Sequence, residues 1–303
     1  MNNPGDKYPE FIPVINYKGS VNSFIIPYLH LISKGALISY PFLAQLKNNE
    51  NNNNQHQINK FCEKIAVPLW IDSGSYGYIK YGGTIISNEY FSTLELNFKD
   101  EKLKVDPRDL LDLQEKFAQY AFTLDFPVIP EHSENTMEKH LRLSIKNAVY
   151  AVQNKRKKNL KLYASVPVVD NLNLFSQELT TLTSFPFDGI ALGSLVPRKK
   201  DFSFVLEAVK IARKIFPDLP LHLFGFGKPE IMSQLKVDSV DSSTYIRLAL
   251  SGKDIRGNKI IKQPSHLEQA HLALLNLASL TDHKLPLALN TSLIRFSQNN
   301  SKL

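Results

Sequence analysis

The chain contains little cysteine and no long apolar run. Its 303 residues include a single cysteine, Cys62, so an internal disulfide and a zinc site built from several cysteines are both excluded. The apolar stretch LALLNLASL at residues 272–280 is too short to cross a bilayer, and the first residues, MNNPGDKYPEF, lack the basic and apolar regions of a signal peptide. We therefore expect a cytoplasmic protein that has no membrane partner.

Acidic residues are in the minority, and the chain is distinctly basic. There are 36 lysines and arginines against 29 aspartates and glutamates, which gives a net charge of +7. Two clusters stand out, NKRKKNLK at residues 154–161 and PRKK at residues 197–200. A basic surface attracts polyanions, of which nucleic acid is the commonest large one, but charge alone leaves open a solvated helix end and a lysine-rich loop.

Short apolar segments rich in β-branched residues recur along the chain, each followed by a turn. There are eight, at residues 11–17, 35–43, 67–74, 120–128, 161–169, 188–196, 219–227 and 236–244. Helical spacing of apolar residues separates several of them, as in DPRDLLDLQEKFAQ, where Asp106 is a candidate cap. Strands that alternate with helices pair in parallel, and eight such units in about 250 residues are typical of an α/β barrel of the (β/α)8, or TIM, type.

Three segments depart from this alternation. Residues 46–60 are rich in asparagine and predict a surface loop, and residues 76–98 predict a β-hairpin around Gly82 and Gly83, inserted after the third strand. A helix and a polar tail follow residue 254. We expect one barrel domain over residues 1–260, with a C-terminal helix and polar tail over residues 261–303 packed on the barrel.

Acidic residues stand at the ends of several predicted strands, where barrel enzymes place their chemistry. Asp72 ends the third strand, Asp125 follows the fourth, and Asp241 lies in VDSVDSSTY on the eighth. A single acid in such a place is often only a cap or turn residue. Three carboxylates at one mouth repel each other, which favours a functional site.

Four motifs on these strand ends resemble the tRNA-guanine transglycosylase family, most of all its archaeal branch. They are DSGSY at residues 72–76, LDFP at 124–127, GSLVP at 193–197 and HLFGFGKPEIMSQLKVDSVDSSTYIRLALSG at 222–252. The resemblance runs in order from about residue 11 to about residue 260. The family also has a branch that modifies DNA.

The resemblance implies that guanine in a nucleic acid is exchanged for a 7-deazaguanine base such as preQ0 or preQ1, without a cofactor. Asp241 would be the nucleophile that forms a covalent glycosyl intermediate, and Asp72 the general acid and base. Asp238 competes for the first role, but it lies three residues earlier and outside the matched motif.

The same resemblance implies a set of residues that bind the substrate. Asp125 would accept hydrogen bonds from the base, and Tyr76 or Phe226 would stack on it unless they serve only as packing. The residues expected to contact the base are Ser73, Gly74, Asp125, Gly193, Ser194, Gly225 and Phe226. The residues expected to hold phosphates are Arg198, Lys199 and Lys200.

The chain departs from the family in three respects. Members that act on tRNA hold zinc through three cysteines and a histidine and carry RNA-binding domains after the barrel, and this sequence shows neither. On the fifth strand, ASVPVVD replaces a glutamine and a glycine that touch the base, which leaves the identity of the incoming base open. The first two departures favour DNA slightly over tRNA as the target.

Two other interpretations stay open from the sequence. The chain could be a non-catalytic paralogue that binds nucleic acid or serves as a partner subunit, although it retains Asp72, Asp125 and Asp241. It could also be an unrelated barrel that binds phosphate through GFGKP at residues 225–229, if a helix N-terminus offers free N–H groups there. The sequence also leaves open whether the protein forms a homodimer.

Overall fold

The computed structural model of the protein describes residues 9–16, 19–47, 54–98 and 101–281. The strands are β1 (Glu10–Pro13), β2 (Ala36–Ser39), β3 (Leu69–Asp72), β4 (Gly83–Ser87), β5 (Ser92–Phe98), β6 (Glu101–Val105), β7 (Tyr120–Phe122), β8 (Lys161–Pro167), β9 (Gly189–Gly193), β10 (Leu221–Leu223) and β11 (Ser239–Ser242). The α-helices are α1 (Ser20–Ile25), α2 (Leu29–Ile32), α3 (Tyr40–Lys47), α4 (Asn54–Glu63), α5 (Gly77–Tyr81), α6 (Pro107–Phe117), α7 (Glu134–Asn154), α8 (Leu172–Thr181), α9 (Phe202–Ile215), α10 (Pro229–Met232), α11 (Thr244–Leu250) and α12 (His266–Thr281).

Eight parallel strands form one sheet in the order β1-β11-β10-β9-β8-β7-β3-β2. The two ends of this order meet, because Val14 bridges Leu37 in parallel and the Ile15 N–H donates to the Leu37 carbonyl at 2.8 Å. The sheet is therefore closed into a barrel with the helices outside, and the predicted α/β TIM barrel is confirmed. All eight predicted strands are present, each shorter than its apolar segment.

The longer helices begin at side-chain caps that the sequence signals. Asp106 accepts a hydrogen bond from the Arg108 N–H at 3.0 Å, and Pro107 occupies the first turn of α6, where its missing N–H costs nothing. Ser133 caps α7 and Asp201 caps α9 in the same manner. These caps place the start of each helix directly after a loop at the barrel mouth.

The barrel interior is built of layers of side chains from alternate strands. Following the parallel register round the barrel places four inward-facing residues in each of three layers. The lower layer is Ile12, Trp70, Tyr163 and His222; the middle layer is Leu37, Phe122, Ala191 and Asp241; the upper layer is Val14, Asp72, Ser165 and Phe224. The lower layer is mostly aromatic, with the Trp70 ring 5.5 Å from Tyr163 and 5.7 Å from His222 between centroids. Polar groups thus concentrate in the upper two layers, at the carboxyl ends of the strands.

The insertion after the third barrel strand is larger than the predicted hairpin. It consists of α5 and an antiparallel sheet of three strands, β4-β5-β6. Gly82, at a φ of +74°, ends α5, and Gly83 lies so close to the Glu95 carbonyl that a side chain would collide with it. The two glycines therefore join a helix to a strand, and the tight turn comes later, where Asn88 accepts hydrogen bonds from the Tyr90 and Phe91 N–H groups.

The asparagine-rich segment is only partly described, and its second half is helical. The prediction of a loop over residues 46–60 is wrong for Asn54 onwards, where α4 begins. Ile58 and Phe61 lie one helical turn apart and are buried, and α4 packs on α3. These two buried apolar residues stabilise the helix despite the polar composition of the segment. Residues 48–53 lie outside the described ranges.

The C-terminal helix α12 packs against α1 and α11 on the outside of the barrel. The Asn276 amide donates to the Tyr245 carbonyl at 3.0 Å and to the Lys253 carbonyl at 3.1 Å, which ties α12 to the end of the barrel chain. The polar tail after Thr281 lies outside the described residues, and the division of the chain at residue 260 stays a prediction. Within the described ranges, none of the helices has the length and apolarity needed to cross a membrane.

Candidate active site

Asp241 stands on β11 in the middle layer, with its side chain 7% exposed. Its Oδ1 accepts hydrogen bonds from the Gly225 N–H at 3.0 Å and from His222 Nε2 at 3.1 Å. Among the described residues no hydrogen bond reaches Oδ2. The carboxylate is therefore fixed through Oδ1.

His222 continues this arrangement below Asp241. Its Nδ1 is 2.9 Å from the Ser239 hydroxyl. Because an ionised carboxylate only accepts hydrogen bonds, Nε2 carries the hydrogen, and in a neutral ring Nδ1 then accepts from Ser239. His222 is completely buried, and its contact with Oδ1 orients the Asp241 carboxylate.

Asp72 ends β3 in the upper layer, one step above Asp241. Burial is the main cause that raises the pKa of the Asp72 carboxyl to about 7, and the nearby negative charges of Asp241 and Asp125 raise it further. Hydrogen bonds from Ser39 and from the Gly74 N–H, the latter 3.1 Å from Oδ1, oppose this shift. Asp72 therefore exists in both protonation states near neutral pH, and its coupling to Asp125 and Asp241 places the three acids at one mouth.

Asp125 is buried on the loop after β7, with two serines on its Oδ1. The Ser75 hydroxyl donates at 2.7 Å and the Ser73 hydroxyl at 3.4 Å. Burial raises the pKa of Asp125, and these two hydrogen bonds oppose the shift. Both serines come from the turn after Asp72, so one turn orients two of the three acids.

Each of the predicted glycines is required at its position for a different reason. A Cβ at Gly193 would lie 3.2 Å from Asp125 Oδ2, so a larger residue would crowd the carboxylate. Gly74, at a φ of +69°, and Gly225, at +81°, take left-handed conformations that turn their N–H groups towards Asp72 and Asp241. Ser194 is also left-handed, at +65°, and its hydroxyl accepts from the Val128 N–H at 2.9 Å, which holds the β9 loop against the Asp125 loop.

The two candidate stacking residues differ in exposure. Phe226 is 1% exposed, and the Lys199 ammonium lies over its ring at 5.1 Å. Tyr76, in the turn that also carries Ser75, is 53% exposed. The ring that a base can reach is that of Tyr76, whereas Phe226 is part of the packing around Gly225.

The structure corrects the prediction for Arg198. Only 6% of this residue is exposed, and its Nε donates to Asp170 at 2.8 Å while Nη1 donates to the Ser194 carbonyl at 3.0 Å. Arg198 therefore stabilises the β9 loop and is not free to hold a phosphate. Lys200 is exposed, and Lys199 is half-buried and donates to the Gly225 carbonyl at 2.8 Å.

A basic cleft beside Asp241 contains the predicted Lys199 together with three cations that were not predicted to hold phosphates. It has a volume of about 460 Å³, and its lining includes Lys199, Lys228, Arg247 and Arg256 but no carboxylate. In the described ranges Lys228, Arg247 and Arg256 form no ion pair with a carboxylate. Burial, followed by the charges of Arg247 and Lys228, lowers the pKa of Lys199. The cleft is a region of concentrated positive charge that suits an anion.

The other basic cluster lies at the opposite end of the barrel. Lys155 donates to Asp188 at 3.0 Å, and Arg156 pairs with Asp112 and Glu115 of α6. These pairs tie the start of β8 to the neighbouring helix. These ion pairs give the cluster a structural role. The alternative of a solvated helix end therefore describes it better than a nucleic-acid surface does.

The GFGKP loop does not form a phosphate site of the helix N-terminus type. The helix that follows it, α10, has four residues and starts at Pro229, which has no N–H. The Gly225 N–H points instead at Asp241.

The residues do not fit the zinc ion that the family resemblance implies. The only cysteine, Cys62, lies on α4, where burial and then the charge of Glu63 raise the pKa of its thiol to about 11. Across the described ranges, no three side chains of histidine, cysteine, aspartate or glutamate converge closely enough to hold a metal. No step is therefore assigned to zinc.

Three polar residues of the site were not anticipated from the sequence. Ser75 lies in the DSGSY motif and His222 at the start of the motif at residues 222–252. Their contacts with Asp125 and Asp241 depend on the strand register, which the motifs do not reveal. Ser165 was hidden in the strand segment that departs from the family. Alternation of inward and outward residues along β8 would have identified it.

Comparison with known proteins agrees with this geometry. Residues 5–273 match the sequence model of the family described as queuine tRNA-ribosyltransferase (TGT). The tRNA-guanine(15) transglycosylase of Methanococcus vannielii is 24% identical over 263 residues, covering 82% of this chain and 37% of the relative. That of Pyrococcus furiosus is 28% identical over 194 residues, with 61% and 29% covered, and that of Saccharolobus solfataricus is 25% identical over 264 residues, with 84% and 48% covered. The chain thus spans less than half the length of these relatives. It belongs to the queuine tRNA-ribosyltransferase (TGT) family.

Proposed function

We propose that the protein is a nucleic-acid guanine transglycosylase, which exchanges guanine for a 7-deazaguanine base through a covalent aspartyl intermediate. The observation that carries this proposal is Asp241, held through Oδ1 by Gly225 and His222 with Oδ2 left open, beside an acid that titrates near neutral pH. Nucleophile and proton carrier are the two parts that such an exchange needs.

In the first half of the reaction, Asp241 Oδ2 attacks C1′ of the sugar. A C1′–O bond forms and the C1′–N9 bond breaks, with its electron pair passing to the base. Asp72 in its protonated form gives its proton to the departing guanine and becomes a carboxylate. General acid–base help of this kind contributes about 10²–10⁴-fold in rate.

In the second half, a 7-deazaguanine base takes the place of guanine. Its N9 attacks C1′, the ester bond to Asp241 breaks, and Asp72 takes the proton from N9. Both carboxyl groups return to their starting states, so no cofactor is consumed.

Asp125 is the group proposed to select the base. Ser73 and Ser75 orient its Oδ1, and Oδ2 faces the space that Gly193 leaves open. A carboxylate there accepts hydrogen bonds from the ring and amino N–H groups of guanine. Tyr76, exposed at the mouth, offers a ring on which the base stacks.

The basic cleft is proposed to hold the phosphates next to the target nucleotide. A carboxylate inside the barrel reaches C1′ only if the nucleotide leaves its stack. Lys199, Lys228, Arg247 and Arg256 would then neutralise the backbone on the way in. As for the polymer, the names of the relatives favour tRNA, and DNA is the alternative that the trapping experiment distinguishes.

The proposal is tested by trapping the covalent intermediate. Purified protein is incubated with guanine-containing DNA or with total tRNA, denatured and run on a gel, with Asp241→Ala beside it. Asp238→Ala is the matched control, because Asp238 lies at the opposite end of β11 and pairs with Arg213 at 2.7 Å. We expect a polymer-dependent band in wild type and Asp238→Ala, lost in Asp241→Ala, and discharged by added preQ0 or preQ1.

The two arms of this gel identify the polymer. A band that forms with only DNA or with only tRNA identifies that polymer as the target. A band that survives in Asp241→Ala contradicts the assignment of the nucleophile. Binding of either polymer without any band supports the non-catalytic paralogue, which acts as a nucleic-acid-binding or partner subunit.

A further inference from the structure

Ser165 is a buried hydroxyl without a partner in the upper layer of the barrel. The residue is 1% exposed, and its Oγ receives or donates no hydrogen bond within the described part of the chain. Its backbone is satisfied, since the Ser165 N–H donates to the Thr123 hydroxyl at 2.9 Å. Burial of a hydroxyl without a partner costs free energy, so the group calls for a ligand that supplies one.

Alternation along β8 shows where this hydroxyl points. Tyr163, two residues earlier, lies in the lower layer against Trp70 and Phe122, whereas Ala164 and Val166 belong to the core between sheet and helices. Ser165 therefore faces the barrel interior, in the same layer as Asp72. Its hydroxyl therefore lies inside the barrel at the level of Asp72, in the layer nearest the mouth.

Neighbouring strands place Ser165 beside the base-selecting group. β8 lies between β7, which leads to Asp125, and β9, which ends at Gly193. The Cβ position at Gly193 is 3.2 Å from Asp125 Oδ2 and 3.8 Å from the Val166 carbonyl, so the Asp125 carboxylate lies over the junction of β8 and β9. A base that meets Asp125 with its N–H edge must pass over Ser165.

We propose that Ser165 is a specificity-determining residue that donates a hydrogen bond to the 6-oxygen of the guanine-type base held by Asp125. Asp125 would accept from the N–H groups of the base, and the carbonyl next to them then needs a donor of its own. Pro167, Val168 and Val169, which follow on the same strand, have no side-chain donor. This inference rests on the proposed function.

The test compares Ser165→Ala with the wild type in two measurements. The first is the Kd of free guanine by calorimetry, and the second is the thermal midpoint of the ligand-free protein. Loss of one neutral hydrogen bond to the base predicts a Kd about tenfold higher. Because the hydroxyl has no partner in the free protein, its removal is expected to leave the midpoint unchanged or raise it.

Ser33→Ala provides the matched control. Ser33 is also buried, but its hydroxyl donates to the Gly35 carbonyl at 2.7 Å, before β2 and far from the mouth. Its removal is expected to lower the midpoint and leave the Kd of guanine unchanged. A structural role of Ser165 would give it this same pattern, and that result would overturn the proposal.

Hypoxanthine, which keeps the 6-oxygen but lacks the 2-amino group, tests the assigned atom. An equal loss of affinity for guanine and hypoxanthine in Ser165→Ala supports the contact with the 6-oxygen, and a loss confined to guanine overturns it. The proposed function fails separately. If wild type binds guanine and Ser165→Ala binds it more weakly, but no polymer is exchanged, Ser165 keeps its role while the transglycosylase proposal falls.

Discussion

Replacement of Asp72 by asparagine is expected to stabilise the protein at neutral and alkaline pH. Asparagine keeps the shape of the side chain and an oxygen that can accept from the Gly74 N–H, but it never ionises. In the wild type, a buried carboxylate must carry its charge close to those of Asp125 and Asp241. The variant removes this repulsion together with the cost of desolvating the ion.

The magnitude follows from the displaced pKa. In the unfolded chain the Asp72 carboxyl has a pKa near 4, and in the folded protein burial raises it to about 7. Between these values the folded state holds a proton that the unfolded state has lost, so folding stability falls as pH rises, by at most about 1.4 kcal/mol per pH unit. Above the folded pKa the full penalty is present, on the order of 4 kcal/mol as an upper bound.

The assay is urea unfolding at a series of pH values from 5 to 8.5, followed by tryptophan fluorescence. The chain has one tryptophan, Trp70, which lies in the lower layer two residues before Asp72, so its emission reports the barrel core directly. We expect the difference in the free energy of unfolding between Asp72→Asn and the wild type to grow with pH up to about 7 and then level off. A constant difference over this range would refute the reasoning.

A second variant controls for any effect of removing a carboxylate. Burial raises the pKa of Asp188, but hydrogen bonds from the Leu162 N–H and Lys155 outweigh it and hold the pKa below its usual range. This acid therefore contributes stability above pH 4, which is lost only as pH falls further. Asp188→Asn is expected to destabilise the protein by an amount that stays constant between pH 5 and 8.5, the opposite sign to Asp72→Asn.

The remaining predictions concern the reaction and its substrate. If Asp72 donates a proton to the departing base, the rate of adduct formation falls about tenfold between pH 6 and pH 8, measured by quenching over time; a flat profile would remove this residue from the first half-reaction. Gly225→Ala is expected to lose about 1–2 kcal/mol of stability and to slow adduct formation, because a left-handed backbone and a collision with a neighbouring valine move the N–H that holds the nucleophile. Gly82→Ala, also left-handed but with only an ordinary contact of 3.6 Å between the new Cβ and the Asn97 side chain, should lose stability without slowing the adduct. Arg247→Glu should weaken nucleic-acid binding and lower the salt dependence of log K by about 1 or more, whereas Lys158→Glu, at the far end of the barrel, should change neither.

The fold could be predicted from the sequence because local signals for strands and helices repeat along the chain. Each strand is an apolar segment, and caps such as Asp106 and Ser133 fix where helices start. A hairpin of β4 and β5 is present, but its turn was predicted in the wrong place, because Gly82 and Gly83 signal a break in the chain but not its kind. Here they end a helix, since the apolar face of α5 packs on β5. Such packing partners are far apart in sequence, and composition does not reveal them.

The site could be predicted only to the level of motifs. Asp72, Asp125 and Asp241 were found because carboxyl ends of parallel strands meet at one mouth. Arg198 was misjudged because a basic run on a loop predicts exposure, while its partner Asp170 comes from the neighbouring strand end. Of the cations in the cleft only Lys199 was predicted, because Arg247 comes from a helix after β11 and meets Lys199 only in three dimensions.

The proposed division of labour among the acids follows from how each carboxyl group is held. Asp241, the proposed nucleophile, receives its two N–H donors on Oδ1, which leaves Oδ2 open among the described residues. Burial, and then the charges of Asp241 and Asp125, raise the pKa of Asp72 to about 7, although Ser39 and the Gly74 N–H donate hydrogen bonds to it. A carboxyl group with this pKa suits the proposed proton carrier. The donors to Asp241 come from β10 and the loop after it, so the strand order of the barrel, and not the acids alone, supports the proposal that Asp241 is the nucleophile.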